Sequence, residues 1–192
     1  MRFVKKQLLM HNDINDKDLL EMIKSADSKN AAFNLLVQKY QERMYWHIRK
    51  MVINHDDADD LVQETFIKIW NFIDKFRGES SLYTWIYRIA TNEVLAFLNK
   101  QKSRNLVSLH DLESNLSNTL REDIYFNGDD AQIKFHKVLA TLPPKQRLVF
   151  NMKYFDEMKY EEIAEVLDTS VGALKASYHI AVEKIKKEIN KI

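Results

Sequence analysis

The chain has 192 residues, enough for one or two domains, with 45% apolar residues, 30% charged residues and a net charge of +1. That near-neutral balance argues against a protein that simply coats nucleic acid, and the absence of cysteine removes disulfides, thiolate zinc sites and a cysteine nucleophile together. With Gly at 3 and Pro at 2, little breaks a helix, so periodic segments read as α-helices and the expected class is all-α.

The first ten residues are basic but hold no apolar run long enough for a signal peptide, and nowhere do 18 apolar residues run together. The expectation is a cytoplasmic, soluble chain with no membrane insertion. Residues 1–15 read as a loose N-terminal arm. Asn12, Asp13, Asn15 and Asp16 offer caps for a short helix through Leu19, Leu20, Met22 and Ile23. A long helix follows from about Asn30, its apolar face running from Phe33 through Leu36, Tyr40 and Met44 to Met51. His47 lies on that face and reads as a packed core histidine, because no second ligand stands at metal-site spacing.

Next comes Asp56-Asp57-Ala58-Asp59-Asp60-Leu61-Val62-Gln63-Glu64-Thr65-Phe66, in which carboxylates gather at a helix start and complement its dipole. The ligand alternation, turn glycine and terminal Glu of a calcium loop are missing, so no metal is expected. Asp60, Gln63 and Glu64 fall three and four apart and make one polar face.

A short polar loop, Arg77-Gly78-Glu79-Ser80-Ser81, then opens a central helix. Leu82, Trp85, Ile86, Ile89, Ala90, Val94 and Phe97 commit one side of that helix to a core. Tyr83, Thr84, Tyr87, Arg88, Thr91 and Asn92 form a flank whose aromatic, hydrogen-bonding and cationic groups suit unstacked bases on a charged backbone.

Residues 105–135 are the acidic piece, with 2 Lys+Arg against 6 Asp+Glu, and read as a flexible linker with a short helix near Asp111–Leu116. The predicted units are thus a domain over 16–104, the linker, and a last domain over 136–192. The last domain opens with a helix over Lys134–Leu142, stopped by Pro143-Pro144. Pro144 suits the first position of the next helix, Lys145–Tyr154. Tyr160–Leu167, the turn Asp168-Thr169-Ser170 and Val171–Ile189 make a helix-turn-helix with Ser170 as N-cap. Ile163, Val166, Leu167, Val171, Leu174, Tyr178, Ile185 and Ile189 supply its core.

Three stretches in this order resemble the sigma-70 family of bacterial RNA polymerase initiation factors, and among them the small extracytoplasmic-function (ECF) group. They are Asp57–Phe66, Phe76–Ala90, and Leu142-Pro143-Pro144-Lys145-Gln146-Arg147 leading into Tyr160–Lys175. The resemblance implies two helical domains, a region 2 and a region 4, and a factor that binds core polymerase, recognises promoter DNA and helps to melt it. By resemblance, Asp60, Gln63 and Glu64 dock on the clamp helices of the largest polymerase subunit, and the flap region is a second contact. Arg77, Gly78, Glu79, Ser80 and Ser81 match the loop that captures a flipped base of the minus-ten element. Trp85, Arg88 and Asn92 match positions beside the melting duplex. Ser170, Val171, Gly172, Ala173, Lys175, Ala176 and His179 match the face that reads the minus-thirty-five element.

Ser177, Ile180 and Val182 stand where the family often has basic residues, so free-standing DNA affinity is expected to be low. An anti-sigma factor is implied as a partner. No cofactor is expected. No nucleophile–base pair or phosphate-cradling glycine loop marks an enzyme. The competing readings are a stand-alone helix-turn-helix regulator, which needs more basic charge, and an all-helical adaptor, which leaves the polar flank of the central helix without a role.

Overall fold

A computed structural model describes residues 14–52, 54–103 and 130–190. Among these are eight α-helices, one short 3-10 turn and no strand. Residues 1–13 of the arm expected over 1–15, the helix expected near Asp111–Leu116 and most of the stretch read as a linker lie outside the described residues.

Helix α1 (Asp16–Lys24) starts at Asn15, whose side chain accepts the Asp18 amide at 2.9 Å. It is tied to α2 (Lys29–Arg49) where Asp16 accepts from Lys39 Nζ at 2.7 Å and from the Tyr40 hydroxyl at 2.8 Å. Helix α3 (His55–Phe72) is capped by Asn54, which accepts the Asp56 amide at 2.7 Å. A 3-10 turn (Ile73–Lys75) leads into the loop before α4 (Leu82–Ser103). Leu36, Met44, Ile48, Ala58, Ile69, Ile86, Ala90 and Val94 are fully buried where α2, α3 and α4 meet.

Helix α5 (Asp130–Ala140) begins earlier than Lys134, inside the stretch read as linker. The run Ala131-Gln132-Ile133 carries one large apolar residue, too little periodicity to mark a helix start. Helix α6 (Pro144–Tyr154) has Pro144 at its start, as the sequence predicts. Helix α7 (Tyr160–Leu167) and α8 (Val171–Ile189) form the helix-turn-helix. Asp168 adopts a left-handed backbone, φ 48°, which turns the chain sharply between them. Ile189, expected in the core, is exposed near the end of α8.

The two halves pack on each other. Leu148, Val149, Met152, Met158, Ile163, Val166 and Leu174 of the C-terminal half share one continuous core with α1 to α4. A smaller core of Val138, Leu139, Leu142, Phe150, Ala181 and Ile185 holds α5, α6 and α8 together.

Candidate polymerase and promoter surfaces

Three surfaces hold the residues singled out from the sequence. The first is on α3, where Leu61, Thr65, Phe66 and Ile69 turn inward and the residues between them face out. Asp60, Gln63 and Glu64 are all exposed on that outer side. Asp57 shows the local field: partial burial and the charges of Asp60 and Asp56 push its carboxyl above the usual value. This is a negative face with exposed apolar neighbours, Ile67 and Phe72, on the same helix. It suits a basic partner.

The second surface is the loop before α4 and the flank of that helix. Arg77, Gly78 and Glu79 are exposed, and Gly78 takes φ +74°, a backbone region that side chains rarely adopt. Arg77 and Glu79 are 3.9 Å apart and almost wholly in water, so their pairing contributes little. Ser81 has a structural task that its sequence position did not reveal. Its Oγ accepts the Thr84 amide at 3.0 Å and its carbonyl accepts the Trp85 amide at 3.0 Å, so Ser81 is the N-cap of α4. Trp85 is half-buried against Phe76, with ring centroids 5.2 Å apart. Asn92 is exposed.

The flank corrects one expectation. Thr84, Tyr87 and Thr91 are buried rather than open to a ligand. Both neighbours of α4 contribute: His47 of α2 lies 3.0 Å from Thr91 Oγ1 with its ring centroid 4.7 Å from that of Tyr87, and α7 also packs on α4. Burial raises the Tyr87 hydroxyl well above its ordinary value, so it stays neutral. Arg88 projects from this covered side and donates from Nε and Nη2 to the Glu165 carbonyl at 3.0 and 2.6 Å. That carbonyl belongs to the last turn of α7, the negative end of its dipole.

The third surface is the start of α8. Ser170 accepts the Ala173 amide at 3.3 Å, which fixes the first turn. Ser170, Gly172, Ala173, Lys175, Ala176 and His179 are exposed, and Val171 is half-buried. Lys175 Nζ lies 5.7 Å from the centre of the Tyr160 ring, a cation–π contact that holds it beside the turn. Small side chains beside one lysine leave the backbone of this helix accessible to a groove.

His47, read as a core histidine, is fully buried, yet its partners are polar. Its Nδ1 lies 3.0 Å from Asp156 Oδ2 and its Nε2 lies 3.0 Å from Thr91 Oγ1. Asp156 is a buried interface residue that sequence reasoning missed, because its partner stands 109 positions away. Groups of acidic and histidine residues arranged to hold a metal ion are absent among the described residues. Among them, too, no helix is long and apolar enough to cross a membrane.

Comparison with known proteins adds a second, independent line. The model for sigma-70 region 2 matches residues 36–104, and that for sigma-70 region 4 matches residues 132–185. The chain is 32% identical over 191 residues to the ECF RNA polymerase sigma-E factors of Salmonella typhimurium and Escherichia coli, covering 94% of this chain and 97% of each relative. It is also 32% identical over 189 residues to that of Haemophilus influenzae, covering 94% of this chain and 98% of the relative. Among solved structures, CnrH bound to the cytosolic domain of CnrY shares the fold with a TM-score of 0.67 at 22% identity, over 92% of this chain and 99% of that one. The sigma factor RpoE bound to the anti-sigma factor NepR, from Bartonella quintana, does so with a TM-score of 0.64 at 22% identity, over 82% and 96%.

Proposed function

This chain belongs to the sigma-70 family of RNA polymerase sigma factors, in its ECF group, and we propose that it directs core polymerase to promoters through the three surfaces described above. The observation that carries this reading is the order of the two matched regions along one chain whose likeness to its relatives runs nearly end to end. The exposure of Asp60, Gln63 and Glu64 supports their role in docking on the clamp helices, and a second contact forms at the flap region. The exposed Arg77–Glu79 loop takes an unstacked base of the minus-ten element, with Trp85, Arg88 and Asn92 beside it. Extruding a base costs about a few kcal/mol, which stacking and hydrogen bonds in such a loop offset. The start of α8 reads the minus-thirty-five element through Ser170, Val171, Gly172, Ala173, Lys175, Ala176 and His179.

The work is that of a specificity subunit and not of an enzyme, carried out in the cytoplasm. The solved complexes of CnrH and of RpoE with their partners support an anti-sigma factor as the regulator of this chain as well. The two domains of this reading run over 16–104 and 136–192, while the family regions match 36–104 and 132–185.

Charge reversal on α3 tests the docking face. Fluorescence anisotropy with core polymerase is expected to show binding weakened at least about tenfold by Glu64→Lys with Asp60→Lys, since like charges at a docked face cost several kcal/mol. Unchanged affinity in the folded double variant would remove α3 from the interface.

A further inference from the structure

A buried carboxylate joins the two halves of the molecule. Asp156 lies in the turn after α6, its side chain 5% exposed. Its two oxygens go to different residues of α2 and the turn after it: Oδ2 accepts from His47 Nδ1 at 3.0 Å and Oδ1 from Lys50 Nζ at 2.6 Å. His47 continues to Thr91 on α4, and Lys50 also lies over the Phe155 ring at 4.8 Å. A single carboxylate thus ties the C-terminal half to α2 and, through His47, to the central helix.

Three other side chains that link the halves end on backbone carbonyls or on sulfur. Arg147 donates to the Met51 carbonyl at 2.9 Å, Asn151 to the Lys50 carbonyl and to Met51 Sδ at 3.4 Å, and Arg88 to the Glu165 carbonyl. Water replaces such neutral acceptors when the halves part. Asp156 differs, because it pairs its charge with that of Lys50 largely out of water, where truncating one partner leaves the other stranded. Burial alone would raise its carboxyl; the His47 hydrogen bond and the positive charges of His47 and Lys50 outweigh that and hold it below the usual value.

The packed arrangement conflicts with promoter reading in two ways. It engages Arg88 on the Glu165 carbonyl and lays α7 against α4, whose Thr84, Tyr87 and Thr91 are buried. It is also too small: a compact chain of this length spans roughly 40 Å. Promoter elements near minus ten and minus thirty-five lie roughly 85 Å apart along B-form DNA.

We propose that Asp156 is a release latch: its pairs with His47 and Lys50 hold a closed form that withholds the α4 flank from DNA, and promoter engagement requires them to break. The part of this inference that concerns DNA rests on the sigma-factor reading. The latch itself does not.

The chain lacks cysteine, so Asn34→Cys on α2 and Lys187→Cys on α8, both exposed, accept a fluorophore pair in the full-length protein. Asp156→Asn is expected to lower energy transfer and reduce the closed-to-open ratio about tenfold, the loss of a charge-assisted hydrogen bond. Lys50→Gln is expected to do the same, and the double variant to do less than the sum, because both remove one interaction. Unchanged circular dichroism separates opening from unfolding. Transfer that does not move in Asp156→Asn, or effects that simply add, would overturn the latch.

The second readout is transcription with core polymerase from a promoter that the wild-type protein uses. The Asp156→Asn variant is expected to reach half-maximal transcription at up to about tenfold lower concentration, as a larger competent fraction requires. An open variant with no such gain would overturn the claim that closure withholds the flank. A wild-type protein that supports no transcription would count against the family reading, while the transfer measurement would still decide the latch.

Discussion

Two glycines lie in the candidate DNA surfaces, and the backbone assigns them opposite fates. Gly78 sits at φ +74° with open space around it, so a methyl group there meets no atom but forces a disfavoured backbone. Gly78→Ala is expected to lower unfolding stability by about 1 kcal/mol in denaturant titration. Gly172 lies in the first turn of α8 with nothing within 4 Å of an added Cβ and no positive φ. Gly172→Ala is expected to raise stability by about 0.5–1 kcal/mol in the same measurement. Ser81 separates two roles in the same way. As the N-cap of α4, it is expected to cost about 1 kcal/mol as Ser81→Ala and almost nothing as Ser81→Asp, since both Ser and Asp cap well. Equal loss in both variants would deny the capping role.

At the scale of elements, much of the helical pattern was legible in the sequence. Asn15 and Ser170 cap where polar residues precede apolar periodicity, and Pro144 opens α6. Caps and periodicity act within a few residues, so a single sequence displays them. The burial of the α4 flank was not legible, because Tyr87 and Thr91 meet His47 of α2 and α7 packs on α4 from far along the chain. The same polar flank fits a buried seam or a base-binding surface, and only the tertiary partner distinguishes them. The polar face of Asp60, Gln63 and Glu64 was legible because these residues stand on the outer side of an amphipathic helix, whereas the α8 residues were singled out by the family resemblance alone. Helix α5 supplies a titratable group that sequence reasoning passed over. His136 stacks on Phe155 with ring centroids 6.4 Å apart, and burial, aided by the charges of Arg49 and Lys50, lowers its affinity for a proton. A depressed folded value means that its stabilisation is complete above the ordinary histidine range and is lost as pH falls through the folded value. The melting temperature is therefore expected to drop on acidification below about pH 6.5, and His136→Phe to flatten that drop. An unchanged slope would contradict the assignment.

At the scale of the whole molecule, the two family regions meet over one continuous core, with polar groups placed among the apolar side chains at the seam. Interfaces within a chain that carry buried polar groups and charges suit partners that separate, because those groups regain water on opening. The α3 and α8 surfaces remain exposed in the packed arrangement, while Arg88 and the flank beside it are engaged. On the proposed reading, the packed molecule can meet polymerase before it can hold melted DNA. Near-neutral charge agrees with a factor that borrows most of its DNA affinity from polymerase. The most direct test is transcription in vitro with sigma-free core polymerase, the purified protein and a genomic DNA library, followed by sequencing of transcript starts. Starts clustered downstream of a common two-block motif are the expected result. Core binding without specific starts, or no core binding at all, would contradict the account.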